Sequence, residues 1–199
     1  MLLAIDAGNT NTVFAVYDGD EQRGLWRAAT DTRRTADEHF VWLAQLMALE
    51  NVSKNDISAA IISTVVPASL FNLTRLCQRY FDTEALVVGD PNVDLGITVE
   101  LENPAEVGAD RLVNAVAAKS AHGGPLILID FGTATTFDVL IKKKYLGGII
   151  SPGINLSLNT LSSKASLIPE INLKKITNVI GKNTNDAVRS GFYWGYAGL

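Results

Sequence analysis

Apolar residues open the chain in two short blocks, "LLAID" at 2–6 and "TVFAVYD" at 12–18, with the polar "AGNTN" between them. Blocks of this length around a turn-forming segment predict two strands joined by a tight turn. "LWRAATD" at 25–31 predicts a third strand. Thr35 and Glu38 then have the spacing of a capping box, ahead of "HFVWLAQLMALE" at 39–50. Phe40, Leu43 and Met47, with Leu46 beside them, repeat at helical period, so this segment is an amphipathic helix. "ISAAIISTVV" predicts a strand stopped by Pro67, residues 68–81 a helix, and "EALVVG" a short strand. Gly and Pro punctuate 89–104, which reads as loop with some extended structure, and a helix follows Pro104 from about 105 to 121. "PLILID", "TFDVLI" and "YLGGIIS" are three more strands, the first two flanking "GTATT". A helix follows Pro152 and Gly153, and a last helix runs from Asn185 to Leu199.

The pattern therefore restarts. "IDAGNTNTVFAV" at 5–16 returns as "IDFGTATTFDVL" at 129–140, and setting Asp6 on Asp130 aligns Gly8 with Gly132 and Thr12 with Thr136. A strand–turn–strand–strand–helix unit occurs twice, each copy opening with Asp-x-Gly. Such a duplication predicts an α/β protein of two lobes with a ligand between them.

Charge narrows the ligand. The net charge is −4 and the pI about 5.2, which argues against bulk electrostatic binding to nucleic acid or to an anionic membrane. An anion held by local backbone groups remains compatible with that balance. The single cysteine, Cys77, excludes an internal disulfide and suits a reducing compartment. The N-terminus lacks a basic n-region, and no apolar run reaches the roughly eighteen residues of a membrane span. A soluble, cytoplasmic protein is expected.

The repeated turn supplies the candidate chemistry. Gly8 and Gly132 let backbone approach a ligand closely. Asn9, Thr10, Asn11 and Thr12, and in the second copy Thr133, Thr135 and Thr136, add amides and hydroxyls. Convergent N–H groups in such a turn make an anion nest, with phosphate the expected anion. A bare carboxylate repels phosphate, so Asp6 and Asp130 are expected to act through a cation or an ordered water. Asp-Gly also makes ordinary hairpin turns, but two copies at the heads of matching units favour phosphate. No GxxxxGK[ST] loop is present, and no GxGxxG follows a strand.

Five segments together resemble the type III pantothenate kinases, of the acetate and sugar kinase, Hsp70 and actin superfamily. They are "DAGNTNT" at 6–12, "NPAEVGADR" at 103–111, "DFGTATTFD" at 130–138, "YLGGIISPG" at 145–153 and "IGKNTNDAVRSGFYWGY" at 180–196. The resemblance spans essentially the whole chain. It implies an actin-like (ribonuclease H-like) duplicated fold, with residues 1–115 as an N-terminal lobe and 116–199 as a C-terminal lobe. It implies ATP-dependent phosphorylation of pantothenate to 4'-phosphopantothenate, the first step of coenzyme A biosynthesis, by a homodimer. The alternative on the same fold is a non-catalytic accessory protein for transcription.

The resemblance also assigns roles. Asp6, Ala7, Gly8, Asn9, Thr10, Asn11, Thr12, Val13 and Thr133 would contact ATP. Gly108, Ala109, Asp110, Arg111 and Thr184 would contact pantothenate, with Asp110 as general base. Asp6 would hold magnesium through water and Asp130 a monovalent cation, potassium or ammonium. Read without the family, Asp110 is a carboxylate suited to a helix start, Arg111 an ordinary ion-pair partner, and Thr184 the N-cap of the last helix. Two departures from the family pattern are visible. The hairpin "FDVLIKKKYLGG" is slightly short, and the chain ends on what reads as the penultimate helix. The expectation is a truncated C-terminal lobe, lacking part of the adenine contacts and leaving a sheet edge exposed.

Other residues are expected to carry no chemistry. His39 and His122 read as surface or helix-end residues and Cys77 as a packed thiol. "KKK" at 142–144 reads as a solvated hairpin turn, and "FYWGY" at 192–196 as a helix that packs rather than stacks on a base.

Overall fold

The protein is described from a computed structural model covering residues 1–169 and 171–199. The first sheet holds β1 (Leu2–Ala7), β2 (Asn11–Asp18), β3 (Glu21–Ala29), β4 (Ala59–Thr64) and β5 (Ala85–Val87) in the order β3-β2-β1-β4-β5. β1 pairs antiparallel with β2 and parallel with β4, so the sheet is mixed. The parallel crossovers are made by α1 (Ala36–Leu49) and α2 (Pro67–Phe81).

Alternation decides which face is buried. Leu3, Ile5 and Ala7 of β1 point into the core with Phe14 and Val16 of β2 and Ile62 of β4. Leu43 and Met47 of α1 and Leu73, Leu76, Cys77 and Phe81 of α2 close over them. Each large side chain buried this way contributes about 1.5–3 kcal/mol. The capping box of α1 forms as its spacing predicts: Thr35 N–H donates to Glu38 at 2.8 Å, and Glu38 N–H to the Thr35 hydroxyl at 3.3 Å. Cys77 is buried, and that burial pushes its thiol up to about 12.

His39 departs from expectation. It is a core residue of α1, 5 % exposed, with its ring 5.6 Å from that of Phe14. Phe40 occupies the flank of the helix and stacks on Tyr80 at 4.0 Å. The apolar stripe of α1 thus includes a histidine that composition alone places at the surface. Burial, reinforced by the Arg34 charge and opposed by Glu38, holds the imidazole down to about 4 from an ordinary 6.5. The folded protein keeps His39 neutral where the unfolded chain takes up a proton. His39 therefore costs no stability above pH 6.5, and stability falls progressively between about 6.5 and 4. Urea midpoints measured at pH 7 and pH 5 should drop for the wild type and drop less for His39→Leu.

The second sheet has the order β6-β9-β8-β7, with β6 (Thr98–Val99), β7 (Leu126–Phe131), β8 (Ala134–Ile141) and β9 (Lys144–Pro152). The duplication is legible in lengths: β1, β2 and β3 have 6, 8 and 9 residues, and so do β7, β8 and β9. The spatial order third-second-first is the same in both copies. Lys142 makes the β8–β9 turn at φ 55°, so the lysine run is a hairpin turn as expected. β7 is an end strand, and Ile127, Ile129 and Phe131 on one of its faces are exposed.

α3 (Ala109–His122) starts later than the sequence predicts. Pro104–Glu106 form one 3-10 turn, and Gly108 is extended at ψ 139°, which resets the chain before the helix. α4 (Ile154–Lys164) follows Gly153, and α5 (Thr184–Gly198) closes the chain. Two compact units result, Met1–Leu126 with Val139–Gly147, and Ile127–Asp138 with Gly148–Leu199. No helix among the described residues is long and apolar enough to cross a membrane.

Candidate functional site

The first turn lies between β1 and β2. Ala7 pairs with Thr12, and Gly8 N–H donates to Asn11 O at 3.0 Å. Asp6, Asn9, Thr10 and Asn11 are exposed, Ala7 and Thr12 are buried, and Gly8 and Val13 are half-buried. Ala7 O is fixed from β4, by Val65 N–H at 3.2 Å and by the Thr64 hydroxyl at 3.1 Å. Gly8 O accepts the Thr30 hydroxyl at 2.7 Å. Thr30 and Thr64 belong to none of the motifs, and only the folded register brings them to the turn.

The "GADR" motif forms the start of α3 in the same compact unit. Gly108 is the N-cap, Ala109 the buried first residue, and Asp110 and Arg111 lie half-buried in the first turn. Asp110 Oδ1 accepts the Arg111 N–H at 2.7 Å, which fixes the carboxylate over the positive end of the helix. A Cβ on Gly108 would lie 2.6 Å from Asp110 Oδ1 and 3.3 Å from Val65 Cγ1. The glycine thus makes room for the carboxylate and brings the helix start against the residue that holds Ala7. α3 packs against β4, and Val65, the residue after β4, holds Ala7 O of the first turn. The Arg111 guanidinium lies 5.8 Å above the ring of the fully buried Tyr145.

The second turn closes differently. Gly132 N–H donates to Ala134 O at 2.9 Å, one residue sooner than the Gly8–Asn11 closure. The constant offset between the copies therefore fails inside the turn: β7 begins 124 residues after β1 (126 − 2), but β8 begins 123 after β2 (134 − 11). Thr12 then corresponds to the equally buried Thr135 rather than to Thr136. The run of threonines in "TATT" fits either offset, which is why the letters conceal the shift. Asp130 is exposed, and its Oδ2 lies 4.0 Å from where a Gly132 Cβ would stand. Thr133 is exposed, and its carbonyl accepts Gly153 N–H at 2.9 Å, tying the turn to the start of α4.

Thr184 is the first residue of α5, and the expected cap is corrected. Asn183 does the capping, accepting Asp186 N–H at 2.9 Å and donating its amide to the Asp186 carboxylate at 2.8 Å. An extended Asn183 at φ −144° outcompetes the threonine because its longer amide makes both bonds. Thr184 itself is exposed. Tyr196 packs on the start of α4, its hydroxyl donating to Pro152 O, while Tyr193 and Trp194 are exposed. His122 ends α3 at the surface.

Asp6, Asn9, Thr10 and Asn11 of the first turn and Asp130 and Thr133 of the second offer side-chain oxygens, the donors hard cations prefer. Among the described residues, no three His, Cys, Asp or Glu side chains gather as metal ligands. A cation at either aspartate would complete its shell with water and ligand oxygens. Within the first unit, turn N–H groups suited to an anion, the Asp6 carboxylate and a second carboxylate, Asp110, fixed at a helix start are the kinds of group that phosphoryl transfer uses.

Comparisons with known proteins agree. A family model described as type III pantothenate kinase matches residues 2–199. A protein of that description from Rhodospirillum rubrum is 61% identical over all of this chain and 78% of its own length. One from Paramagnetospirillum magneticum is 60% identical over all of this chain and 77% of its length. Among solved structures, a protein described as a 2-dehydro-3-deoxygalactonokinase from Sinorhizobium meliloti superposes with a TM-score of 0.55 at 12% identity, covering 84% of this chain and 58% of that one. A protein described as a Baf family transcriptional activator from Campylobacter jejuni gives 0.53 at 18% identity, covering 98% and 75%. At these identities the two structures speak to the fold alone.

Proposed function

The chain belongs to the type III pantothenate kinase family, and from that membership we propose how its residues divide the work of the kinase. The reaction moves the γ-phosphoryl of ATP to the primary hydroxyl of pantothenate, giving 4'-phosphopantothenate at the head of coenzyme A biosynthesis. In it the Asp110 carboxylate takes the hydroxyl proton as the oxygen attacks phosphorus. A P–O bond to pantothenate forms, the bond to the β-phosphate oxygen breaks, and ADP leaves. The observation that carries this assignment is the position of Asp110. It sits at the start of α3, which packs against β4, and Val65 N–H, just beyond β4, holds the first turn.

The other roles follow the same reading. Residues 1–115 carry the first phosphate turn, Asp6 to Val13, and the substrate motif. Gly108, Ala109 and Arg111 line the pantothenate hydroxyl with Asp110. Residues 116–199 carry Asp130, Thr133 and Thr184, on the second phosphate turn and at the head of α5. A divalent cation, magnesium in our reading, offsets charge on the transferring phosphoryl when bound. Asp6 would orient its water shell, and Asp130 would hold potassium or ammonium. Exposed Tyr193 and Trp194 support a homodimer. The single buried cysteine supports a cytoplasmic location.

Mass spectrometry of pantothenate incubated with the full chain, ATP and magnesium tests this reading. The expected product has gained one phosphoryl group, at a rate that falls when sodium replaces potassium. Hydrolysis of ATP without phosphorylated pantothenate would contradict the assignment, and an equal rate in sodium would remove the role given to Asp130.

A further inference from the structure

We propose that Thr30 holds the first turn open for phosphate, a positioning role for a side chain outside the turn motif. The inference rests on reading that turn as the ATP phosphate site. β3 ends at Ala29, which pairs with Asn11, so the next residue, Thr30, arrives beside Thr10. Thr30 N–H donates to Thr10 O at 3.0 Å, and its hydroxyl donates to Gly8 O at 2.7 Å. A hydroxyl has one proton. With that proton on Gly8 O, the 3.0 Å contact between the Thr12 and Thr30 hydroxyls has Thr12 as its donor. The buried Thr12 thereby fixes the rotamer that keeps Thr30 on the turn.

The consequence lies in the backbone. The closing pair of a regular two-residue hairpin exchanges two hydrogen bonds. Here Gly8 N–H makes the first with Asn11 O, but Gly8 O is turned toward the Thr30 hydroxyl. Across a planar trans peptide, the carbonyl and the following N–H point in opposite directions. Gly8 O and Thr10 O both face Thr30, so the N–H groups of Asn9 and Asn11 both face away from it. Two N–H groups on one side of a loop are the elements of an anion nest. On the other flank, Thr64 and Val65 hold Ala7 O, so the peptide before Gly8 cannot rotate to compensate. A carbonyl can accept two bonds, so what the Thr30 hydroxyl controls is direction: without it nothing draws Gly8 O aside, and that peptide is free to rotate toward Asn11 N–H. The turn can then close as an ordinary hairpin, consuming a donor the phosphate needs.

Thr30→Val keeps the branched shape and removes the donor. Calorimetric titration of the full chain with a non-hydrolysable ATP analogue should show binding weakened about tenfold. KM for ATP should rise by the same factor, with KM for pantothenate within about twofold of wild type. Thr30→Ser should recover most of the analogue affinity. Should Thr30→Val not fold, Thr30→Ala removes the same hydroxyl and carries the same test. Analogue binding by the hydroxyl-free variant within twofold of wild type would overturn the proposal. So would parallel increases in both KM values accompanied by a lower Tm, which would mark a merely structural residue. Gly8→Val separates this failure from that of the site reading, because it loads a branched side chain onto the turn itself. Weakened binding in Gly8→Val but not in Thr30→Val would remove the clamp and leave the turn. Unaltered binding in both would remove the turn as the phosphate site, and the clamp with it.

Discussion

Asp110→Asn lowers kcat by about 10²–10⁴-fold while KM for ATP stays within about twofold, the expected outcome of removing a positioned base. The substitution is isosteric. Its side-chain carbonyl still accepts the Arg111 N–H that Asp110 accepts at 2.7 Å, so the first turn of α3 keeps its geometry. The change also removes a carboxylate from the positive end of the helix, which costs stability about 0.3–1 kcal/mol. A drop in kcat of this size with a nearly unchanged Tm therefore reports chemistry rather than folding. Steady-state kinetics with a thermal melt of each protein checks it. A kcat within tenfold of wild type would move the base elsewhere.

Gly153→Ala disables the second turn from outside the "DFGTATTFD" segment. A Cβ at this position would lie 2.4 Å from Gly132 O and from Thr133 O, and 2.8 Å from Thr133 C. All three are backbone atoms, so no side-chain rotation relieves the clash, and the turn or the start of α4 must move by about 1 Å. A displacement of that size at a reacting centre costs about 10²-fold in rate. Overpacking of this kind costs about 1–3 kcal/mol of stability. kcat/KM for ATP should fall about 100-fold, with a smaller change in KM for pantothenate. Gly191→Ala is the control. It lies on α5 with nothing within 4 Å of its Cβ, and it should leave the rate unchanged and add about 0.5–1 kcal/mol of stability. Equal kinetics in Gly153→Ala and wild type would show that the second turn tolerates the displacement.

Much of this architecture was legible in the chain because two copies of one unit reinforce each other. Strands of a few apolar residues between polar turns are hard to bound singly, yet the repeated Asp-x-Gly fixed where each copy starts. The capping box at Thr35 and Glu38 and the proline at the head of α2 marked helix starts through local hydrogen bonding and steric restriction, which sequence carries directly. What escaped depends on distant residues. α3 begins at Ala109 because Gly108 is extended at ψ 139° and serves as its N-cap, a conformation that the glycine alone does not announce. His39 is buried because Phe14, on β2, receives it. The change of offset between the two turns is invisible in a run of threonines and appears only in which carbonyl accepts the glycine N–H. Thr30 and Thr64 act on the first turn through hydroxyls that only the folded register brings there, and Gly153, inside "YLGGIISPG", acts on the second turn by lacking a Cβ. The family resemblance supplied the candidate motif residues, whereas the packing of α3 on β4 beside the first turn needed the fold.

A coupled assay of ADP release by the chain, with magnesium and potassium, tests most directly whether Asp110 and the duplicated turns phosphorylate pantothenate. ADP release that depends on added pantothenate in the wild type and collapses in Asp110→Asn is the predicted result. ADP release that is indifferent to pantothenate, or that persists in Asp110→Asn, would contradict it.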